Sequence, residues 1–380
     1  MRNRWLFVSK PLQPPLRDGS QVLVSHLVSH LAERFCVSYF GAPGLRPAAS
    51  SEAIRAQPMG YAPPALAKLR MLGTLLKPRY RRTPMHFFFT PNTATSSVVA
   101  LLKRIHPRRP IVQNLMSSAG AARHADLLAA LDAVIVLSRH ARAELIGAGL
   151  PAERVHCIYP AVAQTPRALD RSAARRILYA GDLDASVVER LVRVMHAIER
   201  ARDSSWQLTI ASRPKAPQDA EHRRTLRERL APQLQSGRAE LFGEVSDIAT
   251  LWRETALQVF VADHVERKVD LPLVLLEGLA AGVPLVALDF APLNEIFALA
   301  ARRSLDIGRV TATHDGDSLE GAVRTLLDAP SALERAGADA RRLVEQQFSL
   351  PAMVGRYADL YDQLEDASAD IWQISRSRTG

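Results

Sequence analysis

At 380 residues, 47% of them apolar, the chain is too long for one ordinary core and suits two. Mean hydropathy is −0.05, and the longest charge-free run, Thr83 to Leu102, is broken by Pro84, Pro91 and Asn92, so no bilayer span is expected. The net charge of +10 is uneven: Met1 to Pro160 holds 21 Lys and Arg against 7 Asp and Glu, the remainder 28 against 32, so the first half should meet something anionic.

In chain order, the basic opening Met1-Arg-Asn-Arg leads into an apolar run of only Trp5 to Val8, too short for an export signal and expected to be a first strand. Further strands are expected at Cys36–Phe40, Met85–Phe89, Ile111–Leu115, Ala133–Leu137 and Val155–Tyr159, alternating with helices. The first helix puts Leu27, Val28, Leu31 and Phe35 on one face, and Ser138 reads as the N-cap of a later one. Cys36 and Cys157 lie in strand-like runs and make neither a disulfide framework nor a metal site, as suits a reducing cytoplasm. Ala65–Arg82 interleaves Leu66, Leu69, Met71, Leu72 and Leu76 with cations, the pattern of a helix on anionic lipid; a helix packed on its own domain has the same pattern. The basic half carries no aromatic-interleaved motif, which reads against nucleic acid as a partner.

Around Gln164–Ser172 the apolar pattern lapses, and the linker is placed there. A second series of strands follows at Ile177–Ala180, Gln207–Ala211, Ala239–Phe242, Gln258–Ala262 and Pro284–Leu288. Helices near Leu319–Leu327, Ala332–Phe348 and Pro351–Leu364 close the chain, with a frayed tail from Ile371. The expected domains are 1–165, 173–348 and a terminal segment 349–380. The fold class is α/β, with two parallel sheets facing each other across a cleft at the carboxyl ends of their strands.

The most informative stretch is Lys268 to Ala287. Asp270 suits an N-cap, Pro272 a first helical turn and Gly282 a helix end before the strand Val283-Pro-Leu-Val-Ala-Leu. On such a helix Asp270 and Glu277 share a side, about 10 Å apart along the axis. A mid-helix carboxylate among Leu275, Leu276 and Leu279 needs a hydrogen-bonding partner, and a ribose diol offers two donors. The helix start could receive a phosphate or a sugar hydroxyl. Asp182-Leu-Asp184 has the spacing of a metal-holding pair, but it follows a buried strand and glycine; His26 and His30 lack a third ligand, so no metal is expected.

This stretch resembles the donor-site signature of family 4 (group 1) glycosyltransferases of the GT-B fold. Other landmarks resemble the family in order: the glycine loop Leu16-Arg-Asp-Gly-Ser20, Ala133-Val-Ile-Val-Leu-Ser, the closing strand Arg154-Val-His-Cys-Ile-Tyr-Pro, Ile177-Leu-Tyr-Ala-Gly181, Leu241-Phe-Gly, Glu295, and Tyr357 with Tyr361 on a terminal helix packing back on the first domain. The resemblance implies a retaining transferase of hexosyl type, moving a sugar from a nucleoside-diphosphate donor to a sugar or lipid-linked hydroxyl in envelope polysaccharide or glycolipid synthesis. It implies no cofactor beyond the donor, and a cytoplasmic place with peripheral contact on the inner membrane face. The residues it singles out are Asp270 and Glu277 for catalysis, and Gly19, Ser20, Gly181, Arg213, Lys215, Lys268, Glu277 and Glu295 for the donor.

The departures are equally specific. Val269 stands where the signature's first Glu belongs, and Asp182 and Val187 stand where the family has diphosphate-binding Arg and Lys. Gln113-Asn114 occupies the place of a first-domain His. Departure of a diphosphate without metal needs cations, which Lys268, Arg213 and Lys215 would have to supply. The rival reading, favoured by these losses, is a non-catalytic binding or scaffold subunit.

Overall fold

The computed structural model describes residues 3–16, 18–42, 50–56, 65–80, 82–89, 91–117, 119–164, 174–214, 217–245, 247–265, 269–312 and 315–377. Contacts divide the chain into two compact units. One is Met1–Pro160 with Glu266–Asp270 and Leu350–Gly380; the other is Ala161–Val265 with Leu271–Ser349. The short 266–270 segment, read from sequence as part of the second domain, therefore groups with the first unit.

The first unit runs β1 (Arg4–Leu12), α1 (Gly19–Leu31), β2 (Cys36–Gly41), β3 (Ser51–Arg55), α2 (Ala65–Leu75), β4 (Met85–Phe87), α3 (Thr93–Ile105) and β5 (Ile111–Leu115). It continues through α4 (Ala125–Leu128), β6 (Ala133–Val136), α5 (Arg139–Gly147) and β7 (Val155–Cys157). All strands are parallel, in the order β3-β2-β1-β4-β5-β6-β7. Strands such as β6, Ala-Val-Ile-Val with every residue buried, show why: a parallel sheet covered on both faces takes continuous apolar runs. Cys36 and Cys157 are free thiols.

The second unit runs β8 (Arg176–Ala180), α6 (Ala185–Glu199), β9 (Gln207–Ala211), α7 (Pro217–Arg229), α8 (Ala231–Gln235), β10 (Ala239–Phe242), α9 (Ile248–Glu254) and β11 (Thr255–Phe260). Then come α10 (Leu273–Ala280), β12 (Leu285–Leu288), α11 (Glu295–Ala301), β13 (Gly308–Thr311), α12 (Gly316–Leu327) and α13 (Pro330–Gln347). Its parallel order, β10-β9-β8-β11-β12-β13, reverses direction between β8 and β11. Open α/β sheets bind ligands at the carboxyl ends of strands beside such a reversal.

The last helix, α14 (Leu350–Ser377), belongs to the first unit and seats there by side chains one turn apart. Tyr361 stacks on Trp5 with ring centroids 3.8 Å apart, and its hydroxyl shares a 2.5 Å hydrogen bond with His86 Nδ1. Tyr357 donates to Asn114 Oδ1, and the Trp5 indole N–H donates to Glu365. The expected return of the terminal helix is borne out. Its end is corrected: helix continues through Ser377 where a frayed tail was expected from Ile371. Most of the expected linker lies outside the described residues.

The basic segment 65–82 folds as α2 followed by a 3-10 turn at Pro78–Tyr80. Leu75 and Tyr80 are buried, Met71 and Leu72 pack against the first core, and Leu76 is exposed. Among the described residues no helix is long and apolar enough to cross a membrane.

Candidate functional site

Two loops meet the reversal point of the second sheet. The one after β8 holds Gly181, Asp182 and Asp184; the one after β11 holds Asp263 and His264. Gly181 is set by packing, since a Cβ there would lie 2.7 Å from the Tyr179 hydroxyl, which donates to the carbonyl of Asp182. Asp184 caps α6 through Val187 N, 2.8 Å away, so the Asp-x-Asp spacing is a helix start. Arg190 donates to Asp263 at 2.8 Å and to the Val261 carbonyl at 3.1 Å, bracing the second loop.

α10 follows that loop. Pro272 stands at its N-cap with no side-chain cap bond, and the helix begins at Leu273. This corrects the expectation for Asp270, which does not cap α10 and does not lie on it. Its carboxylate is fully buried in the first unit, where Ser138 Oγ donates to it at 2.6 Å, and its own N–H donates to the Met116 carbonyl at 3.0 Å. Ser138 meanwhile caps α5, accepting from Ala141 N. Proline at 272 supplies no N–H, and Asp270 is committed to Ser138, so the turn that would have joined Asp270 to Glu277 on one helix does not form.

Seven of the eight α10 residues are apolar or glycine, and all but Val274 and Glu277 are buried. The helix sits tightly over β11 because residue 278 is glycine: a Cβ would come within 2.6 Å of Gln258 Oε1. Gln258, fully buried in mid-strand, donates through Nε2 to the carbonyls of Leu275 and Val283 and pins the start and end of α10. Sequence reading missed this pair. Its signal was available: a glutamine inside a strand buried on both faces must bond to something.

On this pinned helix, burial pushes the Glu277 carboxyl up to about 7 from 4.5. Among the described residues it has no hydrogen-bond or ion-pair partner. It is a half-withdrawn carboxylate lacking the donors it needs.

The other expected donor residues are dispersed over both units. Gly19 and Ser20 open α1, where Asp18 caps the helix, accepting from Gln21 N and from Ser20 Oγ and pairing with Lys10. Burial raises the Asp18 pKa, but these donors outweigh it and hold the carboxyl below its usual value. Arg213 pairs at 3.4 Å with the exposed Glu244. Glu295 is the first residue of α11, not its cap, which is Asn294. Lys215 and Lys268 lie outside the described residues. Gln113 and Asn114 are structural: Gln113 Nε2 donates to the Phe87 and Phe89 carbonyls, and Asn114 receives Tyr357. Among the described residues no group of His, Cys, Asp and Glu could hold a metal ion.

Solved structures share this fold. HepE of Anabaena, crystallised with UDP and glucose, matches with a TM-score of 0.71 and 15% identity over 95% of this chain and 100% of its own. Sucrose-phosphate synthase of Thermosynechococcus elongatus gives 0.74 and 19% over 96% and 100%. The lipopolysaccharide outer core galactosyltransferase WaaB gives 0.66 and 12% over 95% and 99%. No curated protein matches the sequence. Two parallel-sheet domains with these relatives define a GT-B protein. Residues 174–329, which include β8, β11, α10 and Glu277, match the family described as Glycosyl transferases group 1.

Proposed function

We propose that the second unit binds a nucleoside-diphosphate sugar, and that the protein transfers the sugar with retained anomeric configuration to a hydroxyl acceptor presented by the first unit. The observation that carries this is Glu277. An ionised carboxylate accepts two hydrogen bonds readily, and a ribose diol supplies two. HepE, similar in fold, is seen with UDP, with UDP and glucose, and with UDP-glucose. The acceptor class in this reading is a glycan or glycolipid of the cell envelope, made in the cytoplasm.

The cation that meets the departing diphosphate is assigned, within this proposal, to Lys268 together with Arg213 and Lys215. In this reading Arg213 exchanges Glu244, its exposed ion-pair partner, for the diphosphate. The reading is tested with purified protein and UDP-, GDP-, ADP- and dTDP-sugars. At least one donor should raise the melting temperature of wild type and fail to raise that of Glu277→Ala. No stabilisation by any donor, with the variant indistinguishable, contradicts it. The scaffold reading, favoured by Asp182, Val187 and Val269, separates at the next step: a scaffold that binds donor leaves it unhydrolysed, whereas an enzyme shows slow hydrolysis that Lys268→Ala abolishes.

A further inference from the structure

The two loops at the reversal of the second sheet hold more carboxylate than cation. Among their described residues, 181–184 and 261–265, the acids are Asp182, Asp184 and Asp263, and only His264 can carry positive charge. Asp263 is neutralised from α6 by Arg190, which is itself committed: one terminal nitrogen donates to Asp263, the other to the Val261 carbonyl and to Ser186 Oγ, at 3.1 Å each. Asp184 divides its two oxygens. Oδ1 accepts from Val187 N and from Ser186 Oγ at 2.8 Å each, and Oδ2 stands 3.7 Å from His264 Nε2.

His264 is held but not covered. Val261, Ala262 and Val265 around it are buried, which anchors the loop, whereas its own side chain is 53% exposed. Nε2 faces a carboxylate that the start of α6 fixes in place, so Nε2 carries a proton and Nδ1 is the nitrogen left for a ligand. Nδ1 makes no hydrogen bond among the described residues. In the protonated ring it is a donor at the sheet reversal, where ligands of open α/β sheets lie.

From this arrangement we propose that His264 is a catalytic residue for departure of the diphosphate; the proposal rests on the donor reading above. Its imidazolium Nδ1 donates a hydrogen bond to the phosphate oxygen that takes the electron pair as the bond to the anomeric carbon breaks. The proton stays on the ring, the diphosphate leaves as an anion, and the acceptor hydroxyl, or water in hydrolysis, bonds to the anomeric carbon and releases its own proton. Charge develops on the leaving oxygen only in the transition state, so the contact speeds the step and adds little to ground-state affinity. Histidine in this place, unlike arginine or lysine, makes the step sensitive to pH near neutrality. The charged groups around it are Asp184 at the start of α6, Asp263 on its own loop with Arg190 of α6 behind it, and Asp182 on the loop after β8.

The test is donor hydrolysis by the full chain from pH 6 to 8, at saturation with whichever of UDP-, GDP-, ADP- and dTDP-glucose most raises its melting temperature. Saturation removes the effect of Glu277 ionisation, which falls on affinity. Wild-type hydrolysis should slow as pH rises. His264→Gln should be slower than wild type at pH 6 by on the order of a hundredfold and flat with pH, so that the two draw together at pH 8. His264→Lys, charged throughout this range, should restore much of the rate and abolish the slope. His196→Gln, which removes a half-exposed histidine paired with Glu320 elsewhere on α6, should leave the profile unchanged. Equal donor-induced stabilisation of wild type and His264→Gln shows that the variant is folded and binds. A His264→Gln rate equal to wild type at pH 6, a slope that the substitution leaves in place, or donor binding without hydrolysis overturns this proposal while the donor reading stands. No stabilisation of wild type by any of the four donors overturns both.

Discussion

Glu277 carries opposite consequences for stability and for binding. Its carboxyl titrates near 7 when folded against about 4.5 when unfolded, so the stability linked to its protonated form is intact below about 4.5 and is lost as pH rises through 7. The shift corresponds to as much as about 3 kcal/mol. Glu277→Gln cannot ionise and should be more stable than wild type at pH 8, with the two converging near pH 5; thermal unfolding at the two pH values measures this. Nucleotide affinity should move the other way, tightening in wild type between pH 6 and 8 as the carboxylate forms, and staying flat in the variant. At Lys268 the expected split is kinetic: Lys268→Ala should lower kcat strongly and leave nucleoside binding nearly unchanged. Equal loss of both would remove the lysine from the leaving-group role.

α10 shows how an element serves a residue. Its apolar sequence buries nearly everything but Glu277, and Gln258 with Gly278 fixes its depth over β11. Gly278→Ala should cost about 1–3 kcal/mol by overpacking, read by denaturant unfolding, and should weaken donor binding in parallel. α14 is held by polar pins in an apolar setting. Tyr361→Phe removes the hydroxyl bonded to His86, whose Nε2 is already buried without a partner, and should cost about 1–3 kcal/mol in unfolding. Burial also holds the His86 pKa well below 6.5, so its contribution is present above about 6.5 and is lost on acidification.

Legibility follows burial. Strands such as β6 and β8 were readable to within a residue because buried parallel strands are continuous apolar runs. The two strands missed, β3 (Ser-Glu-Ala-Ile-Arg) and β13 (Gly-Arg-Val-Thr), are the outer edges of their sheets, half-exposed and therefore polar. At the site, Glu277 was legible because an acid stood alone among leucines. Asp270 was misplaced, because local cap rules see Pro272 but not Ser138, 132 positions away in sequence. Gln258 escaped because its partners are carbonyls from two later segments.

At the scale of the molecule, two separately describable α/β units come from one chain that passes between them more than once, at 160–161, 265–266, 270–271 and 349–350. The group 1 family match covers the unit with α10, and likeness to HepE, sucrose-phosphate synthase and WaaB extends over the full fold at 12–19% identity. Such distance preserves architecture while single positions change. The account rests on whether Glu277 meets a ribose diol. The most direct measurement is calorimetric titration of wild type and Glu277→Gln with the best-binding nucleoside diphosphate and its 2′,3′-dideoxy analogue. Wild type should lose about tenfold or more in affinity when the hydroxyls are removed, as loss of charge-assisted hydrogen bonds requires, and the variant should hardly discriminate. Equal discrimination by both proteins would contradict the account.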